Sequence, residues 1–374
     1  MKVAVLTSSR ADYSIYLPLL KKMQQDSFFD VHLLVFGTHL SQAHGLTIGE
    51  IEKDEFQISL QLNTSPSGDS PEAIVKSMAK TMEMFSDFWK ASNYDLVFCL
   101  GDRYEMFAAC ASSVPFGIKL AHLHGGESTL AAIDNVFRHS ISHMSLLHFA
   151  CTEVYKNRLL EMLGNTALVS NCGALSYDNL EQLNLLSVVE FNELYQFDFS
   201  KPSLLVTFHP ETIGFEKNTS YMNEFTSALK ELTNFQFLIS MPNADTTSNN
   251  IRKTWMRFID EVPDRAKAVE NLGTIGYLSA MKHCYCLLGN SSSGFAEAAY
   301  FPKWVINIGN RQKGRLETAN IISCPIEKTS IINAINKIGT MQSALEPISV
   351  YGNGEAANNI VSIVKKWYAE KTFN

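Results

Sequence analysis

The sequence predicts an α/β protein with two domains, and three observations lead to this fold class. The chain has 374 residues, which is too many for one ordinary core. Short apolar runs alternate with longer helical stretches, a pattern typical of parallel sheets covered on both faces. This alternation weakens between about Ser176 and Pro202 and then starts again. We therefore expect two Rossmann-like domains facing a cleft, with ligands at the carboxyl ends of the strands.

Composition and charge exclude several classes of protein. Apolar residues make up 46% of the chain and charged residues 18%, as in ordinary globular proteins. The formal net charge is −7 and no basic block is present, which argues against nucleic acid as the main partner. The seven cysteines are scattered, without zinc spacing, so reduced structural thiols are expected. The opening stretch MKVAVLTSSR is too short for a signal peptide or membrane span, so we expect a cytoplasmic protein without a membrane partner.

Residues 1–175 are expected to form an N-terminal Rossmann-like domain. Its apolar runs are short and end at polar turns, as buried strands do, and the stretches between them are long enough for helices. In chain order, the predicted strands are Val3–Thr7, Val31–Phe36, Leu96–Leu100, Ile118–Leu123 and Leu168–Ser170. The predicted helices are Ser14–Gln25, Pro71–Lys90, Tyr104–Ser113, Asn135–Ser142 and Val154–Leu163.

Residues 200–350 are expected to form a second domain of the same kind, after a linker-like zone of weak periodicity. The last stretch, Ala356–Lys371, predicts a helix within a segment, residues 351–374, that packs back on the N-terminal domain. The predicted strands of this half, with helices between them, are Leu204–Phe208, Phe235–Ser240, Ala268–Val269, Tyr285–Leu288 and Trp304–Ile308.

Polar residues follow the predicted strands of the first half. Arg10 lies in the turn SSRADYS, and Ser14 opens the helix after it. This turn has no glycine-rich dinucleotide fingerprint, which argues against NAD. In GDRYE, Asp102 and Arg103 follow a strand, where a carboxylate suits acid–base chemistry and an arginine suits a phosphate. A solvated Arg10 and a local Asp102–Arg103 pair are the structural alternatives.

The stretch AHLHGGES places two histidines, two glycines and a glutamate after the next strand. His122 and His124 face the same side of an extended chain, but no third ligand is evident nearby, so no metal site is expected. Gly125 and Gly126 allow the backbone to approach a ligand closely, and Glu127 is expected to reach into the cleft. A plain glycine turn is the alternative.

The remaining strand ends carry further candidates. In IDNVFRHSISH, Asp134 precedes Arg138 by about one helical turn, and the alternative is a capping aspartate with a surface arginine. In VTFHPET, His209 directly follows a strand and is a candidate for a phosphate or leaving-group contact, or a structural histidine. Asn243 in PNAD and Arg311 in NIGNRQKGR follow the next strands of the second half.

The stretch LGNSSSGFAEAAY, residues 288–300, is expected to join a buried strand to a helix. Such a turn aims backbone N–H groups and the hydroxyls of Ser291 and Ser292 at one point, with the positive helix end behind them, which suits a phosphate. Glu297, one turn into the helix, can accept the two hydroxyls of a ribose. The alternatives are an ordinary serine cap and a first-turn glutamate favoured by the helix dipole.

These motifs together resemble a known family. SSRADYS, GDRYE, HLHGGE, IDNVFRHSI, FHPET, PNAD, GNSSSG and RQKGR occur in this order across most of the chain. The set resembles the hydrolysing UDP-N-acetylglucosamine 2-epimerases of bacterial sialic-acid synthesis (the NeuC type), and the epimerase domain of the bifunctional animal enzyme.

The resemblance implies a GT-B-like fold, a homo-oligomer (dimer or tetramer), and a reaction without metal or redox cofactor. It implies that UDP-N-acetylglucosamine and water give N-acetylmannosamine and UDP, by anti elimination to 2-acetamidoglucal and then hydration. By motif match, the acid–base residues are Asp102, Glu127 and Asp134, with His124, Arg138 and His209 contributing to catalysis. The residues implied to hold UDP are Arg10, Ser14, Arg103, His209, Asn243, Ser291, Ser292, Glu297 and Arg311.

One departure and several alternatives stay open. The non-hydrolysing epimerases and the animal enzyme carry glutamate where this chain has His124, so the role of that glutamate does not transfer, and His124 or Glu127 is expected to replace it. The alternatives are the same reaction on a UDP-2,4-diacetamido-trideoxyhexose of the legionaminic-acid route, a non-hydrolysing epimerase, a glycosyltransferase of the GT-B type, and a non-catalytic nucleotide-sugar-binding regulator. The joint presence of Asp102, Glu127 and Asp134 favours catalysis.

Overall fold

The computed structural model of the protein describes residues 1–42, 45–130, 132–211, 215–242, 248–341, 345–346 and 348–372. The strands over these residues are β1 Lys2–Thr7, β2 Asp30–Phe36, β3 Ile58–Leu62, β4 Leu96–Leu100, β5 Leu120–Leu123, β6 Leu147–Ala150, β7 Leu168–Asn171, β8 Ser203–Thr207, β9 Gln236–Ser240, β10 Ala266–Val269, β11 Cys286–Gly289, β12 Trp304–Ile308 and β13 Ile321–Cys324. No helix in these ranges is long and apolar enough to cross a membrane.

The helices alternate with the strands along most of the chain. They are α1 Arg10–Gln24, α2 Ile48–Lys53, α3 Pro71–Lys90, α4 Tyr104–Ser113, α5 Asp134–Met144, α6 Glu153–Leu163, α7 Leu175–Gln182, α8 Val188–Tyr195, α9 Asn218–Glu231, α10 Ser248–Glu261, α11 Gly273–His283, α12 Glu297–Tyr300, α13 Lys328–Thr340 and α14 Ala356–Thr372.

The chain folds into two compact units. The first unit consists of Met1–Glu127, Asp134–Gln182 and Val350–Asn374. The second unit consists of Ser128–Ile133 and Leu183–Ser349. The sequence predicts a linker-like zone at Ser176–Pro202, but the structure has most of α7 and all of α8 in this segment.

The first unit is built on a parallel sheet with the strand order β3-β2-β1-β4-β5-β6-β7. Successive side chains of a strand point to opposite faces, so a sheet covered on both faces needs apolar residues at every position. In β1, Val3 and Val5 join one buried cluster, whereas Ala4 and Leu6 join another. This explains why the strands read as continuous apolar runs in the sequence.

The second unit repeats this plan with the strand order β10-β9-β8-β11-β12-β13, again parallel. In β8, Leu204 and Val206 belong to one buried cluster and Leu205 to another. Two parallel-sheet α/β units confirm the predicted fold class.

Helix α14 belongs to the first unit, where its residues Ala357, Ile360 and Val364 join the cluster that covers one face of the sheet. The start of the helix is held by Asp178 of α7, which is 2% exposed. The Asp178 carboxylate accepts hydrogen bonds from the backbone N–H groups of Ala356, at 2.9 Å, and Ala357, at 2.7 Å. A carboxylate at this position satisfies donors that the first helical turn cannot satisfy itself.

Replacing Asp178 with alanine is expected to lower the free energy of unfolding by about 2–3 kcal/mol, because two buried N–H groups lose their acceptor. Asparagine at the same position keeps one acceptor oxygen and should lose about half as much. Chemical denaturation of both variants measures this difference. Equal stability of wild type and Asp178→Ala would contradict the role given to this carboxylate.

Candidate active site

The candidate catalytic residues of the first unit follow three neighbouring strands of its sheet. Asp102 lies just beyond β4, His124 and Glu127 follow β5, and Cys151 follows β6. Because all three strands are parallel, their carboxyl ends lie at one edge of the sheet. Ligands of parallel α/β sheets bind at this edge.

Asp102 forms an ion pair with Arg138 of α5. The guanidinium of Arg138 is buried, and the side chain of Asp102 is 24% exposed, so one face of the carboxylate remains accessible. A buried charge is tolerated when it is paired and hydrogen-bonded. The neighbouring Arg103 donates to a different carboxylate, that of the fully buried Glu105, through Nε at 3.2 Å and Nη2 at 3.0 Å.

His122 has a structural role between the end of β4 and helix α5. It is fully buried, with Nε2 2.9 Å from the carbonyl oxygen of Gly101 and Nδ1 3.0 Å from Oγ of Ser142. Burial lowers the pKa of His122 to about 3, so the ring is neutral. His122 therefore joins the residue before Asp102 to α5, which carries Arg138, and does not share a metal site with His124.

His124 contacts two further groups through the same ring nitrogen. Its Nδ1 lies 3.1 Å from Oε1 of Glu127 and 3.4 Å from Sγ of Cys151. Burial alone lowers the pKa of His124, but Cys151 and Glu127 outweigh this effect and raise its pKa above the ordinary value. Nε2 is buried and has no hydrogen-bond partner in the described part of the chain. The backbone of His124 has φ +62°, a left-handed conformation that is uncommon outside glycine and is often found at functional sites.

The glycine pair after His124 lies in close contact with other parts of the first unit. Gly126 has φ +79°, and a Cβ there would lie 2.3 Å from the carbonyl oxygen of Tyr155 in α6. A Cβ on Gly125 would lie 3.0 Å from Nδ1 of His122. Both glycines therefore lie close to other groups of the first unit, and their approach to a ligand stays a prediction.

In the second unit, Asn290 fixes the backbone of His209. The amide of Asn290 is fully buried, its Oδ1 accepts from the N–H of His209 at 2.7 Å, and its Nδ2 donates to the His209 carbonyl at 2.8 Å. The carbonyl of Asn290 accepts from Gln312 at 2.7 Å and from Arg311 at 3.4 Å. Gly289 allows this approach, because a Cβ at its φ of +151° would lie 1.8 Å from the carbonyl oxygen of Thr207.

The serine turn, residues 290–294, differs from the expected start of a long helix. Ser292–Gly294 form a single 3₁₀ turn, and the following α12 has only four residues. Glu297 therefore opens α12 and does not lie one turn inside it. Ser291 Oγ contacts Ser293 Oγ at 2.9 Å, which in turn contacts the hydroxyl of Tyr277 at 2.6 Å, and Ser292 is exposed. The phosphate site at this turn stays a prediction, and it rests on the hydroxyls and N–H groups of the turn and not on a helix dipole.

The other predicted residues have the following positions. Helix α1 begins at Arg10, four residues earlier than predicted, so Ser14 lies inside the helix with its Oγ 3.1 Å from the carbonyl of Ala11. The turn before α1 is organised by Asp12, which accepts from the N–H groups of Ser8 and Ser9 at 2.8 and 2.9 Å. Asp134 is half-buried and opens α5. Asn243 lies outside the described residues.

Sequence reasoning missed Cys151 and Asn290 as site residues. Cys151 was grouped with the other scattered cysteines as a structural thiol, and β6, the strand before it, was not among the predicted strands. Recognition of the run LLHFA as a strand, with Cys151 directly after it, would have placed this thiol beside His124 and Glu127.

Comparisons with known proteins identify the family of this chain. The family model described as UDP-N-acetylglucosamine 2-epimerase matches residues 21–365. The chain is 36% identical to the hydrolysing GDP/UDP-N,N'-diacetylbacillosamine 2-epimerase of Campylobacter jejuni, over 87% of this chain and 84% of that protein. It is 35% identical to the polysialic acid biosynthesis protein P7 of Escherichia coli, over 99% and 95%.

A solved structure shares the fold. The Methanocaldococcus jannaschii UDP-GlcNAc 2-epimerase in complex with UDP-GlcNAc and UDP has a TM-score of 0.82 at 19% identity, covering 98% of this chain and all of that one. At this identity the likeness concerns the GT-B-like fold alone. From the family match and the two relatives, the chain belongs to the UDP-N-acetylglucosamine 2-epimerase family.

Proposed function

We propose that this protein is a hydrolysing epimerase that converts UDP-N-acetylglucosamine and water into N-acetylmannosamine and UDP. The observation that carries the proposal is the pair of side-chain systems at neighbouring strand ends, Asp102 with Arg138 and His124 with Glu127. Membership of the family and the similarity to a hydrolysing 2-epimerase and to a polysialic acid biosynthesis protein support it.

The chemistry of the sugar explains why two such systems are needed. No carbonyl group lies next to C2, so a carboxylate of ordinary basicity cannot remove the C2 proton by itself. Cleavage of the C1–O bond must therefore run ahead, and the sugar gains oxocarbenium character. In the proposed path, UDP leaves, the C2 proton is removed to give 2-acetamidoglucal, and water then adds at C1 while a proton returns to the opposite face of C2.

In this proposal, Asp102 is the ionised carboxylate. Arg138 balances its charge, while the accessible face of the carboxylate can stabilise the developing cation and accept the C2 proton. His124 and Glu127 share a hydrogen bond, so they can hold one proton that comes from solvent and donate it to C2 during hydration. The buried Nε2 of His124 is suited to a sugar oxygen, because a buried donor is stabilised by an acceptor.

Asp134 is the third carboxylate of the proposed acid–base set. It opens α5 and lies four residues before Arg138, so both side chains project from the same face of the helix. On that face, Arg138 forms its ion pair with Asp102. A third carboxylate on the side of the Asp102–Arg138 pair is suited to orient the attacking water.

We further propose that the second unit binds the UDP group. Asn290, the first residue of the serine turn, connects the turn to two other candidates. Its side-chain amide bonds to the backbone of His209, and its carbonyl accepts from Arg311. Preorganised donors aimed at a leaving oxyanion each contribute roughly 3–4 kcal/mol to transition-state stabilisation. Asn243, Ser292 and Glu297 complete the proposed UDP contacts of this unit. Arg10, Ser14 and Arg103 belong to the first unit, and their contact with UDP stays a prediction from the family resemblance.

Replacing Asn290 with aspartate is expected to weaken UDP binding by about five- to 150-fold, because the carboxylate cannot donate to the His209 carbonyl and leaves a buried acceptor unsatisfied, at a cost of about 1–3 kcal/mol. Titration calorimetry with UDP measures the affinity, and circular dichroism verifies the fold. As a control, Asn271→Asp alters an Asn whose Oδ1 accepts from the N–H of Gly273 at 2.8 Å, an interaction that aspartate keeps. Unchanged UDP affinity of folded Asn290→Asp would contradict this UDP site.

A second substrate is favoured by one observation, the 36% identity to the Campylobacter jejuni enzyme named for diacetylbacillosamine. UDP-N,N'-diacetylbacillosamine differs from UDP-N-acetylglucosamine at C4 and C6, away from the reacting C1 and C2. The same elimination and hydration apply to both sugars.

The proposal is tested by incubating the purified protein with each UDP-sugar separately and measuring both UDP release and the free sugar. We expect N-acetylmannosamine and UDP in equal amounts from UDP-N-acetylglucosamine, with a larger kcat/KM than for the diacetamido sugar. A larger kcat/KM for the diacetamido sugar would identify UDP-N,N'-diacetylbacillosamine as the substrate. Accumulation of UDP-N-acetylmannosamine without free UDP would overturn hydrolysis.

A further inference from the structure

The first unit contains a cluster of three different ligand types that the proposed reaction does not require as a set. Nδ1 of His124, a carboxylate oxygen of Glu127 and Sγ of Cys151 all lie within 4.8 Å of one another, and among the described residues no other group of three such ligands was found. The thiol and the carboxylate are 3% and 4% exposed.

The distances between these atoms match those around a tetrahedral metal ion. The separations are 3.1 Å from His124 to Glu127, 3.4 Å from His124 to Cys151 and 3.8 Å from Cys151 to Glu127. With zinc–ligand bonds of about 2.0–2.3 Å and tetrahedral angles, neighbouring N, O and S ligands are about 3.3–3.6 Å apart. One ion can therefore contact all three atoms after shifts of a few tenths of an ångström.

The ligand types select the kind of ion. Magnesium and calcium prefer sites made of oxygen atoms, whereas a thiolate with an imidazole selects a softer ion such as Zn²⁺. Three protein ligands leave a fourth position open for water or another oxygen ligand. The His124 side chain is 17% exposed, which provides access to the cluster.

The backbone holds the ligands in place before any ion binds. The N–H of His124 donates to the carbonyl of Phe149 in β6 at 3.2 Å, so the segment after β5 is tied to the strand that precedes Cys151. The contact of Gly126 with α6 fixes the turn between His124 and Glu127. A preorganised set of ligands needs little ordering on binding.

We propose that His124, Glu127 and Cys151 form a binding site for one Zn²⁺ ion per chain. Binding converts the Cys151 thiol to a thiolate and releases its proton to solvent. If the proposed function is also correct, the bound ion occupies the two groups that carry the proton and inhibits turnover reversibly.

The test uses the full-length protein after removal of metals with a chelator. Co²⁺ is added first, because a cobalt–thiolate bond gives charge-transfer absorption in the near ultraviolet, and Zn²⁺ affinity is then measured by competition with a chromophoric chelator. The two variants are Cys151→Ser and the matched control Cys172→Ser. Cys172 follows β7 as Cys151 follows β6, is 4% exposed, and does not belong to the three-ligand group found among the described residues.

We expect wild type and Cys172→Ser to bind one Zn²⁺ and to show the cobalt–thiolate absorption. Cys151→Ser should lose the absorption and bind Zn²⁺ at least about 100-fold more weakly, since changes beyond the direct ligands already cost 10–100-fold. Absence of the absorption in wild type, or equal Zn²⁺ affinity of a folded Cys151→Ser, would overturn the site.

Turnover is measured separately with and without Zn²⁺, so that the two proposals can fail independently. Zn²⁺ binding that requires Cys151 but leaves turnover unchanged would support the metal site and contradict the proton-carrying role of His124 and Glu127. Inhibition that persists in Cys151→Ser at the same Zn²⁺ concentration would contradict the site as the cause of inhibition.

Discussion

Replacing Asp102 with asparagine is expected to lower kcat by about 10³-fold or more, while UDP affinity stays close to that of wild type. Asparagine has nearly the same shape, but it cannot accept the C2 proton and cannot balance the positive charge that develops on the sugar. The amide oxygen can still accept from Arg138, which limits the loss of packing. Single-turnover kinetics and UDP titration separate the two effects.

The control for this variant lies at the opposite end of the same strand, β4. Asp95 precedes β4, whereas Asp102 follows it, and the carboxylate of Asp95 accepts only from the Lys2 N–H and the Tyr368 hydroxyl among the hydrogen bonds described. Asp95→Asn is expected to retain nearly all activity. Because removal of one partner of a buried ion pair can destabilise by 3–5 kcal/mol, thermal melting of Asp102→Asn must show a folded protein at the assay temperature. A folded Asp102→Asn with more than a tenth of wild-type kcat would contradict the proposed role.

Replacing Glu127 with glutamine is expected to lower kcat by about 10²–10⁴-fold, because the pair with His124 can then no longer carry a proton between its members. The proposal places this pair in the hydration step. The variant should therefore release UDP faster than it forms N-acetylmannosamine, and 2-acetamidoglucal should accumulate.

Time-resolved analysis of UDP, glucal and free sugar in one reaction distinguishes the steps. Glu153→Gln serves as the control, because Glu153 lies in the first turn of α6 in the same unit and its side chain is 61% exposed. Its products should appear at the wild-type rate. If Glu127→Gln slows UDP release and sugar formation equally, without glucal, the pair acts in elimination and the division of roles is wrong.

Much of the fold was predictable because the sheets are buried on both faces. Continuous apolar runs such as Leu96–Leu100 identified β4, and the residue directly after each run was a reasonable site candidate. Strand β3, Ile58–Leu62, was missed because its first three residues are only half-buried and Gln61 is exposed, so its run is not continuously apolar. Strand β13, whose Ser323 is exposed, was missed for the same reason.

The sequence indicated several residues of the candidate site, but not which side chains they pair with. GDRYE indicated a functional Asp102, yet nothing in the spacing indicated that Arg138, 36 positions later, would be its ion-pair partner. Likewise, the serine turn suggested a helix start, whereas Ser292–Gly294 form a 3₁₀ turn and α12 after it has only four residues. Partners of this kind depend on the strand order, in which β4, β5 and β6 are neighbours, and a single sequence does not specify that order.

The central claim, elimination followed by hydration, is tested most directly by proton NMR of the purified protein with UDP-N-acetylglucosamine in deuterated water. The account predicts free UDP together with N-acetylmannosamine that carries deuterium at C2, because the proton added during hydration comes from solvent. An intact UDP-sugar that exchanges or epimerises at C2, or free N-acetylmannosamine that retains its original C2 proton, would contradict it.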